Sequence, residues 1–371
     1  MSEVSYKYRI YPNQKQKQQL AKFFGCARFV YNYYLDKRIE VYEKDKTTFG
    51  YAKCSKDLTE LKTKPGYEWL KETDSVSLQS ALKNLDIAFK NFFERPETGF
   101  PKFKSKKSHS YSYTTKYTNG NIAVFDKHIK LPKLGLVKTK VSRPVSGRIL
   151  SVTVSQAPSG KYYVSVCCTE VKLSELDKTG KTIGIDLGIK DFIIFSDESE
   201  NIENPKFLQK DLTKLAHLQR ELSRKTSGSR NWEKARVKVA RQHEKIHNKR
   251  QDFIHKATID IVRNYDVICV EDLNVSGMIR NPRLSRNIAD VSWSEAIRQL
   301  TYKAAWYGKK LVKVDRFFPS SQICSACGHK NPAVKDLSVR SWVCPECGAA
   351  HDRDKNSAIN IHKEGLKLIW A

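Results

Sequence analysis

Polar and apolar residues alternate through residues 5–11, SYKYRIY, and predict a strand. Pro12 and Asn13 then open a different period. Leu20, Phe23, Phe24, Ala27, Tyr31, Tyr34 and Leu35 recur at helical spacing and give a long helix one apolar face. A second periodic helix is expected over 76–93, with Leu78, Leu82, Leu85, Phe89 and Phe92 turned inward. Beyond it, turn signals at Asn119-Gly120, Pro132, Pro144 and Ser159-Gly160 break the chain into short strands. Residues 149–156 and 162–169 flank the last turn as a hairpin. The stretch from about 110 to 172 is therefore expected to form an antiparallel β-barrel, joined by the N-terminal strand.

The pattern changes again near residue 181. Residues 182–186 and 192–196 read as strands around a tight turn at Gly188. Residues 206–256 predict a helical hairpin. Leu208, Leu212, Leu215, Leu218 and Leu222 make its heptad-like seam, and a break falls at 226–230. A buried strand at 267–270, a helix at 293–308, a strand at 311–314 and a helix at 354–366 complete an α/β pattern interrupted by inserts.

Charge changes the picture. The 371 residues carry 67 Lys and Arg against 40 Asp and Glu, a net charge of +27. A folded core gains nothing from such self-repulsion, whereas a polyanion offsets it and releases counterions. Residues 101–140 hold ten lysines and a single acidic residue, Asp126. The hairpin 206–256 holds 15 basic and 5 acidic residues. The alternatives are a protein made soluble by charge, or one bound to an anionic membrane surface. No basic amphipathic helix supports the second, no apolar run approaches the ~20 residues of a span, and the N-terminus has no apolar signal core. Hydrophobic residues at 40% are enough to fold a length that fits two to four compact units.

Four of the nine cysteines form two C-x-x-C pairs, Cys324/Cys327 and Cys344/Cys347, with 16 residues between them. Each pair is followed by a glycine, Gly328 or Gly348, as a tight knuckle requires. Four thiolates so spaced make a closed zinc shell, which folds a loop and leaves no open position for catalysis. Redox pairs or disulfides are the other reading of the same cysteines. His329 and His351 lie nearby and are placed outside the shell. The remaining five, Cys26, Cys54, Cys167, Cys168 and Cys269, are scattered and suggest a reducing compartment.

Among the acids, Asp186 sits in the apolar run Ile183-Gly184-Ile185-Asp186-Leu187-Gly188, where a charge is costly unless it binds something. Glu271 ends an apolar strand, at the carboxyl end where α/β sites tend to lie. Asp354 begins the last helix. Each has a plainer reading: a turn residue, a cap shared with Asp272, and an N-cap. Taken together they suit a nuclease, because two magnesium ions held by a few carboxylates activate water against a phosphodiester. No Ser-His-Asp set, Walker loop or G-x-G-x-x-G run competes.

In these residues the chain resembles the TnpB (OrfB) family of transposon-encoded proteins, ancestor-like to the type V CRISPR nucleases. The likeness runs from Tyr8-Arg9-Ile10-Tyr11-Pro12 through Ala81-Leu82-Lys83-Asn84-Leu85 and Pro101-Lys102-Phe103-Lys104. Ile183–Gly188 resembles the first RuvC motif, Val270-Glu271-Asp272-Leu273 the second, and Asp352-Arg353-Asp354-Lys355-Asn356-Ser357-Ala358 the third. Arg250–Lys256 resembles the basic helix before the second motif, and Pro319–Cys324 the lead into the zinc ribbon. The resemblance implies a multidomain α/β plus β-barrel protein: an RNase H-like RuvC domain with an inserted zinc ribbon, and an N-terminal wedge barrel with a helical recognition insert. The implied boundaries are 1–12 (first barrel strand), 13–109 (helical recognition), 110–178 (barrel), 179–323 (RuvC, with the hairpin 206–256), 324–350 (ribbon) and 351–371 (third motif and last helix).

The function so implied is magnesium-dependent, RNA-guided cutting of target DNA beside a short flanking motif. Asp186, Glu271 and Asp354 would be the catalytic triad and hold two magnesium ions. Cys324, Cys327, Cys344 and Cys347 would hold one structural zinc. Asp352 lies two residues before Asp354, and the D-x-N-x-A context favours the second. The implied partners are a guide RNA from the transposon end and target DNA, with no membrane and one copy of the protein on its RNA. The setting is the cytoplasm of a prokaryotic cell, at the nucleoid when acting. The basic stretches 101–140 and 206–256 would hold RNA phosphates, with no single nucleic-acid-binding residue named. The alternatives are a nuclease-inactive RNA-guided repressor, a transposition accessory protein, a true transposase and a structure-specific resolvase.

Overall fold

The N-terminal strand gives way to helix at Asn13, where a reciprocal cap forms. The Asn13 side chain accepts from the Gln16 N–H at 2.9 Å, and the Gln16 side chain accepts from the Asn13 N–H at 3.0 Å. A computed structural model describes residues 2–109, 111–282, 285–336 and 338–370, and the chain divides into two compact units, Met1–Lys172 and Leu173–Ala371.

In the first unit, β1 (Ser2–Tyr11) leads into α1 (Gln14–Asp45), α2 (Tyr51–Leu61) and α3 (Ser75–Glu94). All seven residues of the expected apolar face of α1, from Leu20 to Leu35, are buried. On α3, Leu78, Leu82 and Leu85 are sealed. Phe89 and Phe92 depart from expectation: the packed stretch of the helix ends at Leu85, and both rings are half-buried, in an open aromatic groove with Phe100.

Six strands follow: β2 (Tyr111–Lys116), β3 (Ala123–Val124), β4 (His128–Leu131), β5 (Gly135–Lys140), β6 (Arg148–Gln156) and β7 (Tyr162–Val171). With β1 they form one antiparallel sheet in the order β2-β6-β7-β1-β5-β4-β3. The N-terminal strand does join this sheet, pairing with both β7 and β5. The closed barrel expected from the sequence is corrected, because no pairing among the described residues links β2 to β3. Closure needs a pairing partner at each edge. Here β3 is only two residues long, and α1 and α3 pack against β2.

The second unit begins with β8 (Thr182–Asp186), β9 (Asp191–Phe195) and β10 (Ile202–Glu203), an antiparallel meander. The helical hairpin follows as α4 (Phe207–Ser223) and α5 (Arg230–Asn264), with Ser229 capping α5. Of the five seam leucines only Leu215 is fully buried, since a pair of helices leaves one side of the seam open. Then come β11 (Val267–Glu271), α6 (Val275–Met278), α7 (Ser285–Val291), α8 (Trp293–Trp306) and β12 (Lys310–Val314). The short strands β13 (Ser341–Val343) and β14 (Ala350–Asp352) precede the last helix, α9 (Arg353–Trp370). The five-stranded sheet runs β10-β9-β8-β11-β12, and β8, β11 and β12 are parallel.

Side-chain alternation sorts the two faces of this sheet. Ile183, Ile185, Ile268 and Val270 join Ile254 and Ile261 of α5 and Ala296 and Leu300 of α8 in one core. The opposite face, with Gly184 and Cys269, receives α9. Contact there is too close for a side chain on either element. A Cβ on Gly184 would lie 2.3 Å from the Ala358 carbonyl oxygen and 2.6 Å from the His362 nitrogen, and one on Gly365 would lie 2.4 Å from Cys269 Sγ. Gly184→Ala therefore forces backbone apart, and overpacking of this kind costs about 1–3 kcal/mol. Chemical denaturation should show that loss for Gly184→Ala. Gly25→Ala, in α1 with nothing within 4 Å of the added carbon, should be neutral or stabilising.

Candidate active site

Glycine at position 184 sets the depth of α9, and the helix direction sets what stands over the strand ends. Thr182 Oγ1 lies 2.8 Å from His362 Nε2, and Gly184 faces Ala358 and His362. The helix thus runs antiparallel to β8. Two residues further along β8, about 6–7 Å, comes Asp186, on the same face as Gly184. One turn back along α9, about 6 Å, comes Asp354. In the neighbouring strand, Val270 pairs with Ile185, so Glu271 stands beside Asp186. Glu271 also shares the face of Cys269, which touches α9. Register thus sets the three acids that the sequence singled out at the carboxyl ends of adjacent parallel strands and the start of the last helix, near enough for the charges of Glu271 and Asp354 to act on Asp186.

Their electrostatics agree with that placement. Burial, then the charges of Glu271 and Asp354, push the Asp186 carboxyl up to about 7. The Leu187 N–H and Arg353 pull in the opposite direction without prevailing. Burial pushes Glu271 up to about 7 as well. An anionic pocket so poorly compensated fits a set of divalent cations, whose charge would restore the ionised form.

The neighbouring acids are occupied elsewhere. Asp272 is held by Arg316 at 2.7 Å and Lys313 at 3.6 Å. Asp352 accepts from the N–H groups of Asp354 at 3.0 Å and Lys355 at 2.9 Å, so it caps α9. The cap is thus two residues earlier than the plainer reading of Asp354 supposed, and Asp354 Oδ2 is left facing Arg340 at 3.4 Å. Beside the site, Lys190, Lys206, Asn204, Asn287 and Arg340 line a cleft of about 450 Å³. Its one acid, Asp290, is neutralised by Arg250 at 2.6 Å.

The four cysteines converge too. Their sulfurs lie within 4.8 Å of one another, with Cys324–Cys347 at 3.6 Å and Cys327–Cys344 at 3.7 Å. A tetrahedron with metal–sulfur bonds of 2.3 Å has edges of about 3.8 Å, so the set fits zinc. Gly328 and Gly348, at φ +85 and +72, donate back to the carbonyls of Cys324 and Cys344 and close the two knuckles. His351, placed outside the shell by sequence, stands against it, with Nε2 3.0 Å from Cys324 Sγ. The sequence reading gave no role to Asn356 and Asn360. Both are buried, and both donate to the Ile323 carbonyl, at 2.7 and 2.6 Å. Asn356 also accepts from the Ser325 N–H at 2.9 Å. The available signal was a pair of amides four residues apart, on one side of the last helix.

Comparison with known proteins gives consistent relatives. Residues 165–282 match the family model OrfB_IS605, described as "Probable transposase". Residues 293–361 match "Cas12f1-like, TNB domain". Residues 1–47 match a "Helix-turn-helix domain", although this chain has a strand and one uninterrupted helix there. A Streptomyces pristinaespiralis protein named "Putative RNA-guided DNA endonuclease" is 39% identical over 98% of this chain and 89% of its own. An Escherichia coli K12 protein, "Putative RNA-guided DNA endonuclease InsQ", is 35% identical over 98% of this chain and 93% of its own. The protein in the "Cryo-EM structure of the Cas12f1-sgRNA-target DNA complex" shares the fold, with a TM-score of 0.58 at 13% identity, covering 97% of this chain and 98% of that one.

Two outcomes are expected. Carboxyls raised in the folded state bind more protons than in the unfolded chain, whose values are about 3.9 and 4.3. Their ionisation therefore removes stability as pH climbs from about 4 through about 7. In magnesium-free buffer at pH 8, Asp186→Asn should raise the thermal midpoint, by about 2–4 °C per kcal/mol relieved. A lowered midpoint would mark Asp186 as a structural partner instead. Cys344→Ser should lower the zinc content measured by atomic absorption and release the 324–350 loop to protease, since closing the shell supplies folding energy.

Proposed function

We propose a reaction for this chain from one premise: it belongs to the OrfB/TnpB family, with relatives across nearly its whole length that carry the name RNA-guided DNA endonuclease. The reaction is hydrolysis of phosphodiester bonds in target DNA, beside a short flanking motif, at a position chosen by pairing with a guide RNA from the transposon end. The protein works as a single copy on its RNA, in the cytoplasm. We read Leu173–Ala371 as the RuvC-type nuclease unit with the ribbon inserted before its last helix. The strand order β10-β9-β8-β11-β12 supports that reading. Within the first unit we read the three N-terminal helices as the recognition insert and the open seven-stranded sheet as the wedge.

Asp186, Glu271 and Asp354 are the groups that would hold two magnesium ions. When bound, the ions supply an activated water and charge for the leaving oxygen. The chain's own part is to fix three carboxylates on rigid elements, two strand ends and a helix start, and to keep competing acids tied. The cationic side chains Lys190, Lys206 and Arg340 suit the phosphates of a strand lying in the adjacent cleft. The four-cysteine cluster, being closed, is structural. The observation that carries this reading is the register that sets Asp186 beside Glu271 at adjacent parallel strand ends, under the start of the helix that Gly184 admits. Burial and two further acids push the Asp186 carboxyl up to about 7, and bound cations would offset the cost of ionising it there.

The protein purified with its RNA should cut a matching DNA only when magnesium is added. Asp186→Ala and Asp354→Ala should each abolish cutting in a gel assay while RNA and DNA binding persist. Asp352→Ala should still cut, with a stability loss of about 1 kcal/mol from the missing cap. A cutting Asp354→Ala, or a dead Asp352→Ala that remains folded, reverses the assignment of the two aspartates.

A further inference from the structure

The first unit contains a cavity of about 310 Å³ where α1 and α3 meet β2. Its walls carry three aromatic rings and two cationic side chains among small and polar residues, and none of the described residues lining it is acidic. Phe24 and Tyr111 lie nearly parallel there, with ring centroids 6.0 Å apart and an interplanar angle of 27°. The Tyr111 hydroxyl is already spent on the Lys106 carbonyl at 2.9 Å, so what it offers inward is a ring face. Lys104 is held in place at both backbone groups by Asn32, at 2.9 and 2.8 Å, and its ammonium lies 4.0 Å from the centre of the Tyr31 ring. Arg28 and Asn84 also line the cavity, and neither side chain has a hydrogen bond or ion pair among the described residues. Beneath them, the buried Tyr113 hydroxyl has no hydrogen-bond partner.

A flat ring with an anionic group suits these walls; an amine or a metal ion does not. A ring can slide against Phe24 and Tyr111, a phosphate can meet Arg28 and Lys104, and the Asn84 amide can donate and accept at a base edge. Bases in duplex DNA are stacked and show only their groove edges. RNA presents unpaired, splayed bases in loops and ends, and such bases are the usual target of aromatic pockets. We propose that this cavity is a single-nucleotide pocket that receives one unpaired base of the guide RNA. The proposal rests on the RNA-guided reading of the chain.

The test uses the full-length protein co-expressed with its RNA. With 4-thiouridine in the RNA, ultraviolet crosslinking and mass spectrometry should find one nucleotide joined to the peptide carrying Phe24 or Tyr111. Arg28→Ala should weaken RNA binding about tenfold and reduce the slope of log affinity against log salt by about 0.7, the share of one phosphate on a single strand. Asn84→Ala should weaken it without altering the slope, to a degree that depends on the base at the crosslinked position. Asn84→Trp, at a solvent-exposed position on the α3 wall of the cavity, should exclude the nucleotide while the thermal midpoint stays unchanged. RNA that co-purifies and guides cutting, with no crosslink at these peptides and no change in the variants, overturns the pocket alone. A crosslink obtained only from photoreactive target DNA overturns it as well. A protein that carries no RNA and cuts nothing overturns both the pocket and the reading it rests on.

Discussion

Contact between α9 and β8 proceeds backbone against backbone, because Gly184 has no side chain to hold the helix away. That spacing decides what else can happen in the second unit. A strand keeps Gly184 and Asp186 on one face, and a helix keeps Asp354 and Ala358 on one face. Once Ala358 rests on Gly184, the two aspartates have little freedom to be anywhere but near each other. Parallel pairing of β11 with β8 then supplies Glu271 at the adjacent strand end. The constellation is a result of register, and a side chain at position 184 would disturb it without touching an acid.

Drawing three carboxylates together works against stability. Burial and mutual repulsion raise Asp186, burial raises Glu271, and nothing in the protein fully offsets them. The surrounding residues limit the problem by sorting the acids. Asp272 is bound to Arg316 and Lys313. Asp352 meets the helix N–H groups and so spares Asp354 that role. Two acid pairs close in sequence, Glu271/Asp272 and Asp352/Asp354, thus each have one member tied to structural partners and one left at a strand end or helix start. Their chemistry is identical, and their partners make the difference.

Much of this was legible in the sequence because it was periodic or strongly spaced. Strand β8 lies at 182–186 as read, since an apolar run bounded by turn residues has few other solutions. The apolar face of α1 is buried as read. The sulfur cluster followed from its spacing, and the positions of Asp186 and Glu271 at strand ends from the apolar runs before them. What was not legible depended on partners distant in the chain. Strand signals cannot say whether a sheet closes, and β3 proved too short to pair with β2. Helical period placed Phe89 and Phe92 inward, but it does not say how far along α3 the covering elements extend. The cap made by Asp352 is a single polar residue, and the two amides of Asn356 and Asn360, although one helical spacing apart, do not reveal that their partners lie in a loop some 33–40 residues earlier.

Those amides tie the four-cysteine cluster to the helix that begins at Arg353. Asn356 is two residues from Asp354 and hydrogen-bonds to both sides of Cys324, at the Ile323 carbonyl and the Ser325 N–H. Asn360, one turn on, holds the Ser320 and Ile323 carbonyls. Backbone polar groups in a loop have no ladder to satisfy them, so a helix that supplies donors and acceptors at fixed positions is pinned by the loop in return. The Arg353 N–H, which donates to the Arg340 carbonyl of the ribbon, adds a further tie next to Asp354. The order imposed by a closed sulfur shell is thereby passed, within one helical turn, to the aspartate at the head of α9. The cysteine-bearing loop at this point in the chain thus braces the helix end that carries Asp354, and its value lies in how little that end can move.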